Sequence, residues 1–340
     1  MSDVLDSWQI AYIVIAAAGV SYGLNFLLMP LLRRYAQARP SARSSHKIPT
    51  PQGGGAAVVA AVILVVAGAT AVLPSLNLDG YLLAAILAAG AFLAIIGATD
   101  DMRPLEALPR LLLQAAAVAV VIATLPDDLW IFHALPFWLE RALMLVAILW
   151  LVNLVNFMDG IDWMTVAEVV PVASGLAVFG LLGALPVAAT LVAIALCGAI
   201  LGFAPFNRPV ARLFLGDVGS LPIGLLLGWL LILLAGRGHL VAALLLPLYY
   251  LSDATITLLR RLAHREPVLL AHRNHFYQRA LDNGMSAYAI VGRVFAVNTA
   301  LAALAMATLL SQTLWAQAAT LIAGCIFVGW LLYSFESQKK

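Results

Sequence analysis

Apolar stretches long enough to cross a bilayer follow one another along almost the whole chain, and this succession constrains the fold more than any other feature. A window of about 19 residues finds them near residues 10–32, 54–74, 81–98, 110–125, 138–156, 163–182, 185–204, 219–235, 239–260, 287–311 and 313–334. About 20 apolar residues cross the hydrocarbon core as one helix, so the pattern predicts about eleven transmembrane helices. Lipid-facing backbone must satisfy its own hydrogen bonds. The expected fold class is therefore an all-α polytopic membrane protein, one integral domain over residues 1–340 with its loops at the two surfaces. Of the 340 residues 63% are apolar and 11% charged, where a soluble domain carries about 25% charge; a water-soluble globule is excluded. Nineteen Lys and Arg against seventeen Asp and Glu are too balanced to make nucleic acid a partner. Cys197 and Cys325 both fall in apolar runs, so neither a disulfide framework nor a Cys-based metal site is expected. Residues 1–8 are acidic and lack the basic flank and cleavage site of a signal peptide, and the first run reads as a retained helix.

The breaks between runs alternate in charge. Sixteen of the nineteen basic residues, among them Arg33, Lys47, Arg110, Arg212, Arg260 and Arg273, fall on every second connection or at the C-terminus. Only Arg141 and Arg237 lie on the opposite connections, and Arg293 lies at the start of the tenth run. By the positive-inside rule this predicts an outside N-terminus and a cytoplasmic C-terminus. Trp8, Trp130, Trp138, Trp163 and Trp315 stand at span ends, as interfacial aromatics do.

All the polar chemistry sits on the basic side, on loops 33–55, 99–110, 156–163, 205–220 and 261–285. In the first, Pro49 and Pro51 fix an extended approach, and Gly53, Gly54 and Gly55 let backbone N–H groups approach a ligand at a helix start; close helix packing explains them equally well. Asp100 and Asp101 end the third run, with Arg110 and Gln114 opening the next. Two adjacent carboxylates at a membrane surface repel unless a cation or proton intervenes. Asn153 and Asn156 share a helix face, followed by Asp159 and Asp162. Asp217 lies in Phe214-Leu-Gly-Asp-Val-Gly-Ser220, and His272 and His275 flank Arg273 in the last loop. Glu168 and Asp253 lie inside predicted spans and rank second as functional carboxylates. Carboxylates, amides and basic residues converging on one surface describe a site for phosphates with Mg²⁺, or Mn²⁺ in its place.

The combination resembles the polyprenyl-phosphate N-acetylhexosamine-1-phosphate transferase family, from His46 to Gln278. Pro51 to Gly55 resembles its Pro-x-x-Gly-Gly loop, and Asp100-Asp101 with Arg110 and Gln114 its Asp-Asp helix. Asn153 to Asp162 resembles Asn-x-x-Asn-x-x-Asp-Gly-x-Asp, and Phe214 to Ser220 resembles Phe-x-Gly-Asp-x-Gly-Ser. Many members carry two or three consecutive histidines in the last loop, where this chain reads His272-Arg-Asn-His275-Phe-Tyr277-Gln278. That form resembles the subgroup that starts O-antigen units, including members that use 6-deoxy-N-acetylhexosamines.

The resemblance implies transfer of a sugar-1-phosphate from a UDP-sugar to undecaprenyl phosphate at the cytoplasmic face of a bacterial inner membrane, among membrane lipid, with a homodimer left open. It implies Asp100, Asp101 and Asp217 as catalytic residues. Asp217 is the principal Mg²⁺ ligand, accompanied by Asp101 and Asn156. Lys47, Asn153, Asn156, Asp159, Asp162, His272, Arg273 and His275 then contact substrate, and Tyr277 and Gln278 are expected to help set which sugar is accepted. The reading held against it is a secondary transporter of an anionic solute, which would place its ionisable groups nearer the bilayer midplane.

Overall fold

The computed structural model describes residues 5–38, 49–72, 80–267 and 272–337. Each of the eleven apolar runs coincides with helix. They form α1 (Ser7–Tyr35), α2 (Gly55–Val72), α3 (Gly80–Met102), α4 (Ala107–Ala123), α5 (Phe137–Met158), α6 (Met164–Leu181), α7 (Val187–Phe203) and α8 (Asp217–Gly236). The remainder are α9 (Leu240–Leu245), α10 (Leu248–Ala263), α12 (Ala287–Ala307) and α13 (Leu314–Glu336), with the short α11 (Phe276–Asp282) between α10 and α12. Among the described residues eight helices are long and apolar enough to cross a membrane. The chain is a multi-pass membrane protein. Helices α4 and α7, apolar and 17 residues each, fall just short of that length.

Two features depart from the expected pattern. The run at 239–260 is not one helix: it breaks between α9 and α10 at Leu246-Pro247. Proline brings no N–H and its ring clashes with the preceding turn. Beyond the break, α10 buries Tyr249, Tyr250, Asp253, Thr257 and Arg261 on one face, too polar a face for lipid. The fold is also not purely helical, because β1 (Gln37–Ala38) pairs antiparallel with β2 (Thr50–Pro51), Gln37 opposite Pro51 and Ala38 opposite Thr50.

Helix α8 is the axle of the bundle. Its membrane-crossing stretch is wholly buried, and α2, α3, α5, α6 and α7 all pack against it. Small residues set the spacing, as they do where membrane helices approach closely. A Cβ on Gly55 would lie 2.2 Å from the Gly219 Cα, and one on Gly224 2.6 Å from the Val152 Cα. Around this centre α1 packs on α7 and α12 on α6. Tyr12, Phe26 and Leu27 of α1 and Trp330 and Tyr333 of α13 remain exposed, on the sides that lipid would cover.

Candidate active site

The site begins where the end of α3 meets the start of α8. Gly97, one turn before the acidic pair, lets the helices touch: a Cβ there would stand 2.2 Å from the Asp217 carbonyl oxygen. The contact puts the two neighbouring aspartates to different uses. Asp101 accepts the N–H groups of Asp217 at 3.1 Å and Val218 at 3.2 Å. Those donors are orphans of the first turn of α8, so Asp101 caps that helix from another strand of the bundle. Gly216 before it has φ +77°, and a Cβ there would meet the Asp101 carboxylate at 2.5 Å; only glycine fits. Asp100, by contrast, accepts from the Leu105 N–H at 2.6 Å and pairs with Arg110 Nη1 at 2.6 Å.

Asp217 closes the group. Its Oδ1 accepts from Asn156 Nδ2 at 2.7 Å, and the same amide reaches the Ser220 hydroxyl at 3.0 Å. Its Oδ2 stands 3.7 Å from Arg110, and its carboxyl lies within hydrogen-bonding reach of that of Asp100. The Asp217 side chain keeps 25% of its surface exposed, against 9% for Asp100.

Three carboxylates around one arginine leave negative charge to be balanced, and two carboxyls in contact need a shared proton or a cation. Among the described residues no three His, Cys, Asp or Glu side chains enclose a metal. A closed cage is not what Mg²⁺ requires, since it is commonly held by one or two carboxylates, waters and substrate phosphates. The donor set fits such an ion, with Asp217 and Asp100 as the pair. Asp101 accepts the α8 N–H groups, and Asn156 turns its N–H toward Asp217.

A second group lies past the end of α5. Asp159 accepts the Thr165 hydroxyl at 2.5 Å. Burial lifts its carboxyl to about 7 against the opposing Thr165 hydrogen bond, with the charges of Asp101 and Asp162 adding to the rise. Asp162 is buried and accepts the Ala211 N–H at 2.9 Å. It lines a cavity of about 660 Å³ together with Arg33, Thr50, Pro51, Val210 and Arg212. Asn207 fixes the approach, accepting the Trp163 N–H at 2.8 Å and donating to the Leu213 carbonyl at 3.0 Å. Asn207 and Thr165 were not among the expected site residues, although Asn207 stands in the Pro-Phe-Asn-Arg turn after α7.

The last loop packs against the end of α5. The His272 and His275 rings stack at 4.9 Å, and His275 lies 6.4 Å from the Phe157 ring. Arg273 is paired with Asp282 at 2.7 Å. Tyr277 is fully buried and donates to the Phe157 carbonyl at 3.1 Å, passing under Gly160, where a Cβ would strike its hydroxyl. Gln278 is buried too, accepting the His275 N–H. Tyr277 and Gln278 thus hold the loop from beneath.

Other expected contacts also resolve. Asn153 donates to Gln114 at 2.9 Å on α4 and lines an apolar groove, away from the carboxylates. The Gly53, Gly54 and Gly55 N–H groups are spent on the Phe214 and Leu215 carbonyls, so they serve helix packing and present no anion nest. Gln52 reinforces that junction by donating to the Asp101 carbonyl at 2.8 Å. Lys47 lies outside the described residues.

Acidic, amide and guanidinium groups at one end of an apolar bundle define a membrane protein with a site suited to phosphates. Residues 83–235 match the model of glycosyl transferase family 4. The chain is 27% identical over 294 residues to a Bacillus subtilis protein named "Probable undecaprenyl-phosphate N-acetylglucosaminyl 1-phosphate transferase", covering 80% of this chain and 78% of the relative. It is 30% identical to the decaprenyl-phosphate N-acetylglucosaminephosphotransferase of Mycobacterium leprae, covering 64% and 60%. A Synechococcus phospho-N-acetylmuramoyl-pentapeptide-transferase is 34% identical, covering 59% and 62%. The chain thus spans less than two thirds of the length of the last two. These relatives are transferases, and they lend no support to the transporter reading.

Proposed function

We propose that the protein transfers a sugar-1-phosphate from a UDP-sugar to undecaprenyl phosphate, releasing UMP, on the cytoplasmic face of a bacterial inner membrane. The sugar is an N-acetylhexosamine or a 6-deoxy-N-acetylhexosamine, and the product starts an O-antigen or another envelope polysaccharide. The observation that carries the reading is the convergence of Asp100, Asp217 and Arg110 where the end of α3 meets the starts of α4 and α8. The family match and the named activities of the relatives support it.

A phosphomonoester on a prenol is already a nucleophile at neutral pH, so the protein's task is alignment and charge neutralisation. Asp217 and Asp100 would hold Mg²⁺, which when bound offsets the negative charge of the diphosphate and polarises it for attack. Arg110, held by Asp100, adds a fixed positive charge beside Asp217. Asn156 keeps the Asp217 carboxylate oriented. The cavity bordered by Asp162 and Arg212 has room for a nucleotide, and His272 and His275 stand by the donor's diphosphate or sugar. An oxygen of the lipid phosphate forms a bond to the β-phosphorus, the bond from that phosphorus to the bridging oxygen breaks, and UMP carries that oxygen away. The sugar C1–O bond stays intact.

A UDP-sugar labelled with ³²P at the β position tests this with purified protein, undecaprenyl phosphate and Mg²⁺. The label is expected in the lipid as a sugar diphosphate, with UMP released. Label left in water-soluble UDP, with unlabelled lipid carrying the sugar, would return the protein to glycosyl transfer at carbon.

A further inference from the structure

The most heavily hydrogen-bonded carboxylate in the described structure is not in the acidic cluster. It is Asp253, on the inward face of α10 beyond the Pro247 break, with no exposed surface. Its Oδ1 meets His275 Nδ1 at 3.1 Å, the Phe276 N–H at 3.1 Å and the Thr257 hydroxyl at 3.4 Å. Its Oδ2 meets the Tyr277 N–H and the Tyr249 hydroxyl, each at 3.3 Å. The Phe276 and Tyr277 N–H groups are the orphans of the first turn of α11. One buried carboxylate thus caps that helix from α10 and grips the histidine that precedes it.

An ionised carboxylate only accepts hydrogen bonds, so the nitrogen facing it carries the proton. The His275 ring is held from its faces as well, with His272 stacked at 4.9 Å and Tyr277 at 5.8 Å. The ring also faces the Gln278 N–H at the capping box of α11, and among the described residues no other donor or acceptor reaches its Nε2. We propose that Asp253 is a positioning residue that locks His275 in the Nδ1–H tautomer and leaves Nε2 as the nitrogen offered to the sugar-diphosphate donor. This rests on the transferase reading for its ligand, but the tautomer itself does not. Asp253 touches no reacting atom; it acts through His275, as the orienting carboxylate does for a histidine whose other nitrogen is at work.

The test has two arms. Isotope-labelled histidine in the purified full-length protein, above the titration range of an ordinary imidazole, reports the tautomer by nitrogen chemical shift, with His275→Gln assigning the signal. An Nδ1–H ring in the wild type is expected, and an Nε2–H ring overturns the proposal whether or not the protein turns over a UDP-sugar. The second arm measures UMP release in a double-mutant cycle. Asp253→Asn is expected to lower turnover roughly 10- to 100-fold, the usual loss when a histidine's orienting partner is removed. Combined with His275→Gln it is expected to add nothing further, because its effect passes through that ring, whereas additive losses would show a merely structural role. Asp253→Glu, which keeps the charge, is expected to recover part of the rate; if Asp253→Asn does not fold, the wild-type tautomer still decides. Absence of UMP release in the wild type, with the Nδ1–H tautomer present, would sink the transferase reading and leave the positioning intact.

Discussion

Replacing Gly97 by alanine tests whether the α3–α8 contact sets the catalytic geometry. The added Cβ would fall 2.2 Å from the Asp217 carbonyl oxygen and 2.5 Å from the Val218 nitrogen. A carbon rests against a carbonyl oxygen at about 3.3 Å or more, so the two helices must separate by about 1 Å. The obstacle is backbone on a helix packed on all sides, and no side chain can swing away. Overpacking of this kind costs about 1–3 kcal/mol, which lowers the melting temperature in detergent. The same displacement carries Asp217 away from Asp100 and Arg110, and a misplacement of about 1 Å lowers turnover about 100-fold. Gly90 is the control on the same helix, with nothing within 4 Å of its added Cβ. UMP release and thermal melting are measured for Gly97→Ala, Gly90→Ala and wild type. Wild-type turnover and melting in Gly97→Ala would refute the reasoning, as would equal losses in the two variants.

Three further outcomes are expected. Asp217→Asn removes turnover at every Mg²⁺ concentration while the detergent-extracted yield stays normal; near-wild-type turnover would reduce Asp217 to a helix-start residue. Asp159 has its carboxyl lifted from 3.8 to about 7. Between those values the folded chain keeps a proton that the unfolded chain has lost, so stability falls as pH rises through this window and levels above it. Melting temperatures across the window are therefore expected to decline less steeply for Asp159→Asn than for wild type, and parallel slopes would contradict the burial. Reporter fusions after Pro126 and His239 are expected to read outside and one at the C-terminus inside; cytoplasmic signals from the first two would move the site to the other face.

The helical bundle was legible because hydrophobicity repeats at the length of a bilayer, and each predicted run holds a helix. The same smoothing hid the break at Pro247, since Leu240–Leu246 and the flanking leucines of α10 average into one apolar window while the buried polar face of α10 is lost. The acidic positions were legible as a set, but their division of labour was not. Asp100 and Asp101 look alike on paper, and only the turn of the helix sends one to Arg110 and the other to the start of α8. Glycines were ambiguous for a similar reason: the residue that admits a ligand's phosphate also admits a neighbouring helix, and Gly55 against Gly219 took the second course. Asp253 was visible only as a carboxylate in an apolar run. Its five donors come from a loop more than twenty residues away, and from its own helix one turn either side, so spacing gave no hint of them.

The wholly buried α8 has a mechanical consequence. Outer helices such as α1 and α13, with large apolar side chains on their outer surfaces, are the ones that must tilt or shift when the surrounding bilayer thickens or thins. Asp217 rides instead on a shaft sleeved by protein, whose neighbours grip it through glycine contacts with no slack to take up. Changes of membrane thickness are thus expected to act at the periphery, and under the proposed function the carboxylate that would meet a phosphate from the water and a phosphate from the lipid keeps a fixed frame of reference between the two phases.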